Sequence, residues 1–140
     1  MVTRAVSIMI VEKFHAAGIE GLGLAADWLA EVMRALVGIP CPAYHTGQGG
    51  HSAPGDPPFL ESGTGQGSIG SEHVEDGAKV GVGSIGTSNM IGGNYMAGWD
   101  AEPGIRDMGR RPWLSTWTDY KPLIDRIVSR HIEKKMGVRK

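Results

Sequence analysis

Residues Ile19–Val37, IEGLGLAADWLAEVMRALV, put Leu22, Ala25, Leu29, Val32, Met33 and Leu36 on one side of a 3.6-residue period, with Trp28 beside them. That spacing is the pattern of an amphipathic helix. Asp27, Glu31 and Arg34 fall mostly off that face. Gly38 and Pro40 supply the stop, because glycine tolerates a left-handed cap and proline cannot continue the ladder. Upstream, Val6, Ile8 and Ile10 alternate as in a strand, whereas Ile10, Phe14 and Ala17 suit a helix. Gly18, Gly21 and Gly23 would each cost a helix about 1 kcal/mol relative to alanine. A break or loose turn is therefore expected before the helix.

Downstream, the chain changes character. Residues 38–78 show little periodicity and much turn chemistry, and are read as one extended Gly/Pro-rich loop. Lys79–Ile85 alternates Val80, Val82 and Ile85 with small residues, as a strand does, and Asn94–Trp99 is the candidate antiparallel partner across a glycine-rich connection. After Pro112 the helical period returns through Trp113, Leu114, Trp117, Tyr120, Leu123, Ile124, Ile127, Val128, Ile132 and Met136. This second helix is expected to begin near Thr118 or Asp119, with Asp119 capping, Pro122 in the first turn and Gly137 closing it. The expected architecture is α+β: N-terminal and C-terminal helices packed on a small antiparallel sheet, in a single domain spanning 1–140.

Composition narrows the function classes. The chain has 140 residues, of which 22 are Gly and 8 are Pro, and a net charge of −1. So small a net charge gives the whole molecule no strong electrostatic pull toward nucleic acid or an anionic membrane. The charge is polarised, however: Lys121–Lys140 carries seven Lys/Arg against two acids, while the rest carries seven against thirteen. A dipolar chain of this kind suits head-to-tail contact with its own copies or with a charged partner, although a solvated helix end with a basic tail has the same composition. The single cysteine, Cys41, excludes an internal disulfide framework and fits assembly in a reducing cytoplasm. No apolar run approaches the length of a membrane span, and Glu12 and Lys13 interrupt the N-terminal apolar run in a way a signal peptide does not.

The chemistry-bearing residues form no recognised catalytic spacing. His45, His51 and Asp56 share the loop, and a small metal-dependent hydrolase would use them, yet no HExxH or paired Cys/His spacing accompanies them. Cys41 has His45 four residues on, but a nucleophile pair needs proximity and an oriented base that sequence nearness does not supply. The glycines of Gly63–Gly67 and Gly81–Gly83 lack the following helix start and Lys-Ser/Thr of a phosphate loop. A nucleic-acid-binding module built on the basic segment Arg126–Lys140 is the other alternative. Trp28, Trp113 and Trp117 read as core, and Trp99 is weighed evenly between a sheet residue and an aromatic contact anchor.

Four ordered elements carry a resemblance. His51-Ser52-Ala53-Pro54-Gly55-Asp56-Pro57-Pro58 follows Pro42 and Thr46-Gly47, and precedes Ser62-Gly63-Thr64-Gly65-Gln66-Gly67-Ser68-Ile69. Val80-Gly81-Val82-Gly83 comes next, then Tyr95-Met96-Ala97 with Glu102-Pro103-Gly104, and last Arg111-Pro112-Trp113-Leu114. This order resembles a family of siphophage neck, minor tail and tail-completion proteins, although Gln66 stands where that family usually has leucine. The resemblance implies a non-enzymatic virion protein, assembled in the host cytoplasm as a ring, hexameric in that family. It implies contacts with sister copies and adjoining neck or tail proteins, with packaged DNA nearby in the channel, and no membrane, small-molecule substrate, cofactor or metal. The contact residues expected on this basis are Ser52, Pro54, Gly55, Pro57, Pro58, Ser68, Ile69, Tyr95, Trp99, Arg111, Pro112 and Trp113.

Overall fold

The computed structural model describes residues 4–40, 52, 55–58, 64–83, 96–97, 100–101 and 110–137, with the side chains of residues 4–11, 64 and 65 excepted. The element order is helix α1 (Arg4–Leu36), one short turn of helix α2 (Thr64–Gly67), strands β1 (Ile69–Val74) and β2 (Gly77–Val82), a 3₁₀ helix (Leu114–Tyr120) and helix α3 (Lys121–Met136). The α+β expectation holds: two long helices accompany a two-stranded antiparallel sheet.

The N-terminal helix is longer than the sequence suggested. It runs unbroken for 33 residues through Gly18, Gly21 and Gly23. Close packing explains the glycines. A Cβ on Gly21 would sit 3.2 Å from Cα and 3.3 Å from the carbonyl oxygen of Val128 on α3, and one on Gly23 would sit 3.0–3.2 Å from the ring of His73 on β1. The propensity penalty is offset by letting one helix and one strand approach the backbone of α1 closely. The buried face correspondingly uses small residues, with Ala17, Gly21, Ala25, Ala26 and Ala30 inside. Leu22, expected in the core, is 41% exposed.

The sheet is where the sequence expectation fails. Lys79 to Val82 does lie in a strand, but its partner is Ile69–Val74, from within the stretch read as loop, joined by the two residues Glu75 and Asp76. Met96, Ala97 and Asp100, in and beside the segment expected to pair, are helical, and the Ala101 N–H bonds the Ala97 carbonyl at 3.2 Å. The inward side of β1 holds Ile69, Ser71 and His73, so the apolar alternation that marks a strand is absent. Those polar residues are satisfied by α1: the Ser71 hydroxyl donates to Asp27 Oδ1 at 2.7 Å, and His73 Nε2 lies 3.0 Å from the same oxygen and 3.2 Å from the Gly23 carbonyl. Asn94, Tyr95 and Trp99 lie outside the described residues.

The core gathers Leu29, Met33 and Val37 of α1 with Ile69, Met96 and Trp113. Trp113 is fully buried, and its Nε1 donates to the Met96 carbonyl at 2.8 Å. Trp28 packs edge-on against Tyr120, with centroids 6.1 Å apart. Trp117, expected inside, is 41% exposed. The C-terminal helix follows seven residues of 3₁₀ helix, Pro122 lies in its first turn, and Tyr120 rather than Asp119 is the N-cap residue, without a side-chain bond. Gly137 closes it in the left-handed conformation, as expected.

Candidate interaction surface

The elements of the resemblance meet in space. Buried Arg111 donates from Nε to the carbonyl of buried Ser52 at 2.8 Å across 59 residues of sequence. The Gly55 N–H bonds the Arg110 carbonyl at 2.9 Å, and Gly55 has φ +95°, which glycine adopts without steric cost. Asp100 completes the knot from a third segment. Its Oδ1 accepts from the Trp113 N–H at 2.8 Å, the Ser115 N–H at 3.2 Å and the Ser115 hydroxyl at 3.1 Å, while its carbonyl accepts from Arg110 Nε. Asp100 thus caps the 3₁₀ helix from outside it. No local spacing announces this role, because the capped helix starts fourteen positions later in sequence.

Of the expected contact residues, Ser52, Pro58, Ser68, Ile69, Arg111 and Trp113 are buried within the chain. They hold the single copy together. Gly55 is exposed, and Pro57 and Pro112 are half-buried. Pro54, Tyr95 and Trp99 lie outside the described residues, as do His45, His51 and Cys41. Asp56 is exposed beside Pro57 and Pro58. Among the described residues, no group of three or more His, Cys, Asp or Glu is placed to hold a metal ion.

Two polar clusters tie α1 to its neighbours. Asp27 receives both Ser71 and His73, so the serine hydroxyl is bonded to the carboxylate and not to the imidazole. This arrangement ties β1 to α1. His73 Nε2 faces two acceptors, Asp27 Oδ1 and the Gly23 carbonyl, and therefore carries a proton. The hydrogen bond from Ser71, with a smaller contribution from His73, holds the Asp27 carboxyl below its usual range despite partial desolvation. On the other flank, Glu20 accepts from His131 at 2.9 Å and lies 3.6 Å from Lys135; the His131 hydrogen bond is the main reason its carboxyl is also held low.

Between these flanks lies an open apolar groove of about 340 Å³. Leu22, Ala25, Ala26 and Leu29 of α1 line it with Ala78 and Val80 of β2, Leu114 and Trp117 of the 3₁₀ helix, and Ile124 of α3. Leu22 and Trp117, which line it, are each 41% exposed. Along α3, Arg126, Arg130 and Lys134 recur at four-residue steps and are all exposed, so they form a basic stripe on its outer side. None of the helices among the described residues is long and apolar enough to cross a membrane. Comparison with protein-family models, curated proteins and solved structures finds no match to this chain.

Proposed function

We propose that this protein is a structural component of a tailed-bacteriophage virion, forming a ring in the neck or tail-completion region that joins head to tail. The observation that carries the reading is the bond between Arg111 and Ser52. Two of the sequence elements behind the resemblance, distant in the chain, are built into one buried knot with Trp113 as its apolar centre. An ordered motif set that is also a packing unit is stronger support than turn-like pieces matched separately. The exposed groove and the stripe on α3 are surface features that assembly would cover.

On this reading the chain does no catalysis. Its copies form a ring, hexameric by resemblance, around a channel that packaged DNA approaches, and it contacts adjoining neck or tail proteins. The test is the assembly state of the purified protein, alone and mixed with tailed-phage portal and tail proteins, by sedimentation and particle imaging. Ring-shaped particles are expected. A chain that stays monomeric in every mixture refutes the reading.

A further inference from the structure

Two charged regions lie on the flanks of α1, on either side of the apolar groove. Gly21 meets Val128 of α3, and Gly23 meets His73 of the hairpin. Two residues on a helix are about 200° apart around its axis, so α3 and the hairpin occupy opposite flanks of α1. On α3, Lys135 pairs with Glu20 and Lys121 with Asp125, which leaves Arg126, Arg130 and Lys134 without an ion pair among the described residues. On the hairpin, Glu72 stands opposite Lys79 in the ladder, so the turn residues Glu75 and Asp76 carry the excess negative charge. Both are exposed, and neither has an ion pair among the described residues. Among the described residues, no ion pair joins the hairpin turn to the stripe within one copy.

We infer that the outer side of α3, from Leu123 through Arg126, Arg130 and Lys134, receives the Glu75–Asp76 turn of a second copy of this chain, head to tail. The inference rests on the ring-forming reading and names its contact. Arg130 and Lys134 are one helical turn apart, about 6 Å, a spacing two consecutive turn carboxylates can bridge. Ion pairs at an interface rim set register and encounter rate more than affinity. The half-exposed Leu123, on the same side of the helix as Arg126 and Arg130, supplies the apolar anchor that a stable contact needs. Because the two surfaces differ, the contact is heterologous: it propagates from copy to copy and closes as a ring when the rotation allows. A symmetric dimer would instead bury one patch against itself.

Charge reversal tests the pairing. Glu75→Lys with Asp76→Lys gives one variant, and Arg130→Glu with Lys134→Glu gives a second, all at exposed positions. Circular dichroism and thermal melting of each variant establish that it remains folded. Each variant alone is expected to self-associate more weakly, on the order of tenfold per charge reversed. An equimolar mixture is expected to reassemble, because the acidic turn of one then faces the basic stripe of the other, and the reverse pair is equally complementary. Rings that persist in either variant overturn this contact while leaving the ring reading intact, and so does a mixture that fails to reassemble. A wild-type chain that never associates defeats both, and one that instead binds duplex DNA through the stripe in a salt-dependent way assigns those cations to phosphates.

Discussion

Glycines at positions 18, 21 and 23 show how one residue type serves different ends within two turns of helix. An added methyl at Gly18 would lie 4.0 Å from the Ile132 side chain, an ordinary contact, whereas at Gly21 it would press on the Val128 backbone at 3.2 Å. Gly18→Ala is therefore expected to stabilise the protein by about 0.5–1 kcal/mol, through helix propensity and reduced unfolded-chain entropy. Gly21→Ala gains the same propensity but must push α3 outward, a distortion costing about 1–3 kcal/mol. A net loss is expected. Thermal melting of the two variants should shift in opposite directions, and a shared direction would show that the helices do not touch at Gly21. Asp27 makes a second residue-scale case. Its folded carboxyl is held low by Ser71 and then His73, so its contribution is present above the unfolded value near 3.8 and is lost as pH falls through the folded one. Asp27→Asn should flatten the acid limb of the stability–pH profile; the group is half exposed, so the change should be small.

Elements differ in how far the sequence foretells them. The interior of α1 from Ala25 to Val37 was legible because apolar residues recur at helical spacing. Its first half was not, since glycine reads as a breaker until the chains it admits, Val128 and His73, are known. β1 was missed because its inward positions are Ser71 and His73, whose partners Asp27 and Gly23 lie more than forty residues away. A strand whose helix-facing side is polar has no apolar period to read. The end of α1 is similar: the Gln66 side chain donates to the Arg34 carbonyl at 2.9 Å and the Gly38 N–H to the Ala35 carbonyl at 3.1 Å, so a distant side chain shares the terminus with Gly38, which is not left-handed. The knot around Asp100 was equally hidden, and it yields a sharp expectation. Asp100→Ala removes three bonds to Oδ1 at the entry of the 3₁₀ helix and should cost about 1–2 kcal/mol in a denaturant titration. Asp100→Asn retains a carbonyl oxygen in the same place and should lose less. Equal losses would mean that the charge matters and the cap geometry does not.

At the scale of the whole molecule, cohesion is uneven. The buried cluster joins α1, β1, Met96 and Trp113, whereas α3 contains no fully buried residue. It is held to α1 by half-buried Ile124, Ile127, Val128 and Ile132, and by the cluster of Glu20, His131 and Lys135. Segments with few buried contacts open at lower free energy than the global unfolding of a domain. In the dilute, unassembled chain, amides of α3 should therefore exchange with solvent faster than those of α1 between Ala25 and Met33, although both are regular helix. If the next copy seats its hairpin turn on the outer side of α3, assembly adds contacts to a helix that has no fully buried residue. Hydrogen exchange followed from dilute protein to assembled particles should then show its largest gain in protection across Leu123–Lys134, with a second gain at Glu75–Asp76 and little change in the Leu29–Met33 core. The gain should be lost in the Arg130→Glu, Lys134→Glu variant. A protection map that rises uniformly, or only near Pro57 and Pro112, would place the contact on the proline-bearing face and away from α3.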